Sequence, residues 1–294
     1  MAARKREGRF AEPSRLLKRW GTPIWTDGVP LIMPIKTERN PVTIQAVFFD
    51  LGGTIETLYY DDELRLAATA QLRQQLVDRG LDPGLPTEEL YQVIRKGLFR
   101  YTAWKEVSLL ELEPPRIWQE YILAGLTLPP EKLAAAAEEL SFFFETRFYR
   151  REMRPEVPAV LEAIREMELK VGLISNVMSR GLVPYSLQQY GIASCFDPVV
   201  LSSVYGRRKP DPAIFWHAAR LAGVAPGDCV HIGDTISRDV LGARRAGYRL
   251  AIRIEHAPLD GQGSQEAVPD FVISNMTDLL KVLEGEMDRP ARTR

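Results

Sequence analysis

Cysteine and histidine are scarce in this 294-residue chain, with two of the first and three of the second. Cys195 and Cys229 both sit among apolar neighbours, in Ala-Ser-Cys-Phe and Asp-Cys-Val-His. That argues against a disulfide framework or a thiolate zinc site and predicts buried, reduced thiols. Long apolar runs are missing too. Nothing approaches the stretch of about 18 residues that a membrane-spanning helix needs. No hydrophobic segment follows the basic Arg4-Lys5-Arg6, as it would in a secretory signal, so the expected compartment is the cytoplasm. Nor is there an excess of either charge. Lys and Arg total 38 against 39 Asp and Glu, the formal net charge is -1 and the isoelectric point is about 6.4. No global positive field is left to recruit nucleic acid or an anionic membrane, which makes a small molecule the expected partner. Nothing in the sequence specifies an oligomeric state.

What is present is apolar substance: 45% of residues are hydrophobic, enough for one large α/β domain or a core carrying a smaller second one. Residues 1–42 are basic and broken by Pro13, Pro23, Pro30, Pro34 and Pro41, which reads as a tail without its own core; Met33 is an alternative start. From Thr43 the texture changes. Gln45-Ala46-Val47-Phe48-Phe49 reads as a buried strand running into the glycine turn Asp50-Leu51-Gly52-Gly53. Similar runs recur at 170–175, 198–201, 228–233, 249–254 and 270–273, separated by helical patterns at 158–168, 181–190, 212–222 and 237–246. Buried strands alternating with helices imply a parallel sheet covered on both faces, with its site at the carboxyl ends of the strands. Residues 58–150 break the alternation and read as helices only, near 61–79, 87–106, 114–124 and 130–148. An all-helical insertion directly after the first strand stands above that site and can close over a ligand. The division is therefore a tail at 1–42, a core from 43–57 and 151–284, a helical insertion at 58–150 and a C-terminal tail at 285–294.

A carboxylate before glycines, as in Asp50-Leu51-Gly52-Gly53-Thr54, often just closes a turn. Three further features fall at later strand ends. Leu173-Ile174-Ser175-Asn176 ends a strand in a hydroxyl and a turn of free backbone N–H groups, a natural cradle for an oxyanion. Arg208-Lys209-Pro210-Asp211-Pro212 fixes a lysine ahead of a proline-started helix. His231-Ile232-Gly233-Asp234-Thr235-Ile236-Ser237-Arg238-Asp239 carries one carboxylate at a strand end and a second at a helix start. In chain order these supply a carboxylate nucleophile, phosphate-oxygen donors, a fixed cation and oxygen ligands for a hard divalent ion.

The four motifs, in this order and with a helical insertion after the first, resemble the haloacid dehalogenase (HAD) superfamily, subfamily I with a C1-type cap, over residues 44–284. The resemblance implies an α/β fold, a Rossmann-like parallel-sheet core with an inserted α-helical cap. It implies a Mg²⁺-dependent phosphohydrolase acting on a small phosphorylated metabolite through an aspartyl-phosphate on Asp50. By position, Asp50 is then nucleophile and metal ligand, Thr54, Ser175 and Asn176 hold the phosphoryl group, and Lys209 balances its charge. Asp234, Asp239 and the carbonyl of Gly52 complete the Mg²⁺ site. His231 reads as a strand histidine.

One position departs from the pattern. The family's phosphatases usually carry a second Asp where this chain has Gly52, which removes a general acid/base typically worth ~10²- to 10⁴-fold. A phosphatase can still act on good leaving groups or use another group, such as Glu56. The alternatives are phosphonatase or dehalogenase chemistry, and a phosphate-binding module without turnover. For a phosphonatase, the cap lysines on offer are Lys96 and Lys105, which read as surface residues. Substrate contacts are expected from Glu56, Tyr59, Tyr60, Arg100 and Trp104.

Overall fold

The structure, a computed structural model, describes residues 25–26, 29–30, 44–256 and 267–287. It divides into two units, Met1–Asn40 and Pro41–Arg294. In the first, β1 (Trp25–Thr26) pairs antiparallel with β2 (Val29–Pro30), a ribbon inside the stretch expected to be a tail. Met33 and the end at 288–294 lie outside the described residues.

The second unit begins with β3 (Ala46–Phe49) and β4 (Glu56–Tyr59). Helices α1 (Asp62–Asp78) and α2 (Thr87–Ser108) follow, then the short α3 (Pro114–Arg116) continuing into a π turn at Ile117–Ile122, and α4 (Pro130–Arg147). After β5 (Arg150–Met153) the chain alternates: α5 (Val157–Glu166), β6 (Lys170–Ser175), α6 (Leu182–Gln189), β7 (Val199–Leu201), the short α7 (Ser202–Tyr205) and α8 (Pro212–Ala222). It ends with β8 (Cys229–Gly233), a π turn at Ile236–Val240, α9 (Leu241–Ala246), β9 (Leu250–Ile254), β10 (Phe271–Ile273) and α10 (Asp278–Met287).

Six strands form one parallel sheet in the order β10-β9-β8-β3-β6-β7. All four residues of β3 are buried, as a central strand covered on both faces requires. Its side chains alternate between two cores. Val47 and Phe49 pack with residues of α5, α6 and α10, while Ala46 and Phe48 pack with α8 and α9. From β3 the sheet grows outward through β6 to β7, and the chain then crosses back to lay β8, β9 and β10 on the other side. The order reverses between β3 and β8, so their carboxyl ends open the crevice where open α/β sheets bind ligands.

Helices α1 to α4 have a separate apolar core, which among the described buried residues takes in Met178 from the sheet side. The stripe Leu90, Tyr91, Ile94, Gly97 and Tyr101 is the buried face of α2. A Cβ at Gly97 would come within 2.4 Å of the Tyr121 carbonyl, so the π turn lies directly against that helix. Trp118 is buried with its indole donating to the Ser141 hydroxyl at 2.9 Å.

Three expectations change. Residues 58–150 are not helical throughout, because Leu58 and Tyr59 in β4 pair with Arg151 and Arg150 in β5. A ribbon whose strands lie on either side of four helices has no hairpin turn to announce it. Cys229 is buried but Cys195 is exposed, at the end of the surface 3₁₀ turn Ala193–Cys195. Finally, α10 continues to Met287, past the boundary drawn at 284.

Candidate active site

Asp50 follows directly on β3, Ser175 ends β6 and Asp234 follows β8, so three adjacent parallel strands deliver their functional groups to one edge. Two glycines make the close approach possible. Gly53 has φ +85, and a Cβ there would lie 2.3 Å from an Asp234 carboxylate oxygen. At Gly233 a Cβ would lie 2.2 Å from Asp239 Cγ, so glycine is what lets Asp239 fold back against β8.

Lys209 is the hub. Its Nζ stands 2.9 Å from Asp50 Oδ1 and 2.6 Å from Asp239 Oδ1, and donates to the Ile174 carbonyl at 2.8 Å. Asn176 fixes the lysine backbone from both sides: its Oδ1 accepts from Lys209 N at 2.9 Å and its Nδ2 donates to Lys209 O at 3.0 Å. The helix after Lys209 starts at Pro212, with Asp211 as N-cap accepting from Ala213 N. A cap of this type is worth about 1 kcal/mol.

Asp50, Asp234 and Asp239 each bring a carboxylate oxygen within 4.8 Å of the others. Two of the three carboxylates thus share one ammonium. Burial opposes the charge on Lys209, but Asp239 and Asp50 outweigh it and raise the lysine pKa. Burial likewise opposes ionisation of Asp239, yet Lys209 and His231 pull its pKa well down. His231 is buried on β8, with its pKa lowered by burial, and its Nε2 is 3.0 Å from Asp239 Oδ1. It therefore carries its proton on Nε2 and positions Asp239, a role that the sequence reading as a strand histidine does not include. Asp239 Oδ2 accepts from Thr235 N. Among the described residues Asp234 makes no ion pair, and its pKa is pushed up to about 7 by burial and by the charges of Asp239 and Asp50. An all-oxygen cluster with uncompensated negative charge fits a small hard cation such as Mg²⁺.

These groups open into a cavity of about 350 Å³ roofed by the helices. Asp50, Gly52, Ser175, Asn176, Lys209 and Asp234 line it, and Asp239 is buried behind the wall. Thr54 is fully buried off the wall, its hydroxyl without a hydrogen-bond partner among the described residues. The expected substrate contacts divide. Tyr60 lines the cavity. Glu56 is buried elsewhere, paired with Arg151 and accepting from Tyr190 Oη at 2.7 Å, so it stands away from the nucleophile. Tyr59 is surface-exposed and bonds Asp61. Arg100 donates to the Tyr121 carbonyl and lines a separate surface groove. Trp104 is stacked on Tyr101 in the helical core.

Sequence reasoning missed several lining residues. Lys105, read as a surface lysine, reaches the cavity from α2. Two glutamates join the helices to the sheet. Glu111 accepts from Tyr101 Oη at 2.5 Å, from Ser202 Oγ at 2.8 Å and from Arg208 at 2.8 Å. Glu145 accepts from Met178 N, Ser179 N and Ser179 Oγ at 2.7 to 2.9 Å. The available signal was spacing: Leu98, Thr102 and Lys105 fall at i, i+4 and i+7, one helix face, and all three line the cavity.

Residues 44–247 match the haloacid dehalogenase-like hydrolase family. A glyceraldehyde 3-phosphate phosphatase of Methanopyrus kandleri is 32% identical over 246 residues, 82% of this chain and 97% of that protein. An N-acylneuraminate-9-phosphatase of Rattus norvegicus is 30% identical over 153 residues, 51% of this chain and 59% of the relative's length. A solved 2-haloacid dehalogenase of Pseudomonas syringae pv. Tomato DC3000 aligns with a TM-score of 0.57 at 26% identity, covering 83% of this chain and 99% of that one. With more than half its length matched to the family and a relative spanned almost end to end, the chain belongs to the haloacid dehalogenase-like hydrolases.

Proposed function

We propose that this hydrolase is a Mg²⁺-dependent phosphomonoesterase that transfers the phosphoryl group of a small phosphorylated metabolite to Asp50. The observation that carries the reading is the bridge of Lys209 Nζ between Asp50 and Asp239, 2.9 and 2.6 Å away, beside a third carboxylate on Asp234. The phosphatase names of the two relatives agree with it. An Asp50 oxygen attacks phosphorus in line, and the bond to the leaving oxygen breaks with its electron pair on that oxygen, which then takes up a proton. Water next attacks phosphorus, the bond to Asp50 breaks, and the carboxylate and inorganic phosphate are released. Lys209 offsets charge on the transferred oxygens while Ser175 and the backbone at Asn176 donate to them. Thr54 belongs to the turn that follows Asp50, with its hydroxyl buried off the cavity wall. Asp50, Asp234, Asp239 and the Gly52 carbonyl would hold Mg²⁺, which supplies positive charge to the phosphoryl oxygens.

In this reading the helices between β4 and β5 are a cap over a core that continues through α10 to Met287, and the enzyme works in the cytoplasm. Dehalogenation, the activity named for the Pseudomonas syringae protein, needs no metal, so the three-carboxylate cluster favours phosphoryl transfer. Purified protein should hydrolyse p-nitrophenyl phosphate with Mg²⁺, lose that activity in EDTA, and lose it in the Asp50→Asn variant. Asp50-independent turnover, or turnover untouched by EDTA, would sink the proposal.

A further inference from the structure

Lys105 is an ammonium without a counter-ion, inside the cavity that Asp50 enters. Among the described residues it makes neither an ion pair nor a hydrogen bond, and its closest aromatic contact puts Nζ 5.0 Å from the centroid of the Tyr101 ring. Among the described residues Asp234, which belongs to the carboxylate cluster, and Arg238, which donates to a hydroxyl, also make no ion pair, while the remaining charges on the wall are engaged. Glu111 is held by Arg208, Tyr101 and Ser202, and Glu145 by the 178–179 backbone and Ser179. Arg151 is paired with Glu56, and Arg238 donates to Thr235 Oγ1. Burial and the nearby charges of Arg208 and Arg238 push the Lys105 pKa down to about 8, against the pull of Glu111 and Glu145. A half-buried cation without an ion pair is costly until an anion joins it.

Resting on the phosphomonoesterase reading, we propose that Lys105 is the counter-ion for a second anionic group carried by the leaving part of the substrate. The substrate class is then a short phosphorylated hydroxy acid, with its phosphate at Asp50 and its carboxylate at Lys105. The cavity suits such a molecule: about 350 Å³ is at the small end of ligand sites, which run from about 300 to 1,000 Å³. A neutral polyol phosphate would fill the same space and leave the ammonium unpaired.

The test compares 3-phosphoglycerate with glycerol 3-phosphate, which share a three-carbon skeleton and differ in the carboxylate. The wild-type protein should prefer the acid in kcat/KM, through a lower KM. Lys105→Met, which keeps the length of the stem, should reduce that preference by about ten- to hundredfold, and Lys105→Arg should retain part of it. An unchanged ratio in Lys105→Met overturns the proposal. So does an equal fall in kcat on both esters, which would mark a structural or proton-donating role. Calorimetric titration of the Asp50→Asn protein and its Lys105→Met double variant with both esters reads the preference without turnover. If no phosphate ester is hydrolysed, the phosphomonoesterase reading falls, while the binding ratio still decides the role of Lys105.

Discussion

At the residue scale, the site is three carboxylates around one lysine, and that lysine is the most informative position to change. Lys209→Met preserves bulk but leaves Asp50 and Asp239 without their shared cation. It should lower kcat on p-nitrophenyl phosphate by about 10²- to 10³-fold, with far-UV circular dichroism showing that the protein still folds. Gly52 offers a gain of function. It does not adopt positive φ, and a Cβ built there meets Leu58 Cδ1 at 3.1 Å, a contact that a small side-chain shift relieves. Gly52→Asp should restore a proton donor and raise kcat/KM on alkyl phosphates by at least about tenfold, with a smaller effect on p-nitrophenyl phosphate, whose leaving group needs no proton. Equal effects on both would show that leaving-group protonation is not what Gly52 removes. Asp50, Ser175, Lys209 and Asp234 were legible in the sequence because each follows or ends a recognisable strand or precedes a proline-started helix. Lys105, Glu111 and Glu145 were not, because their importance comes from what faces them across the fold. Glu56 misled for the same reason: its partners Arg151 and Tyr190 are 95 and 134 residues away.

At the scale of elements, the helices are fastened to the sheet by buried carboxylates. Glu145, near the end of α4, spans to the backbone of the 178–179 turn just beyond β6. Its pKa is raised, chiefly by burial, so the folded chain keeps this proton to higher pH than the unfolded chain does. The stability it contributes is complete below the unfolded carboxyl pKa and is lost as pH rises through the folded one. Glu145→Gln removes that titration. The melting temperature of the wild type minus that of the variant should therefore fall as pH rises above the ordinary carboxyl range. A difference that stays flat or grows would contradict the assignment. The strands and helices of the sheet domain were readable because hydrophobic period and turn residues agree along them. The β4–β5 ribbon and the π turns at Ile117–Ile122 and Ile236–Val240 were not, since tertiary packing decides them.

At the scale of the molecule, function follows from topology. Strand order reverses between β3 and β8, and the carboxyl ends at that reversal carry Asp50 and Asp234. Asp50 and Asp234 are separated by 184 positions in sequence, yet the sheet makes their strands neighbours. Alternating buried strands predicted a parallel sheet, and six parallel strands are present. What the alternation could not supply was the order of the strands across the sheet, because buried apolar runs look alike whichever neighbour they pair with. Nor could it supply the height at which the helices stand above the site. The sharpest test is chemical trapping. Protein turning over a phosphate ester with Mg²⁺ is quenched and treated with borohydride, which reduces an aspartyl-phosphate to homoserine, and position 50 is read by peptide mass spectrometry. Homoserine at position 50 in the presence of Mg²⁺, and none in EDTA, is the predicted result. Steady turnover with an unmodified Asp50, or with the mark on a different carboxylate, would contradict the account.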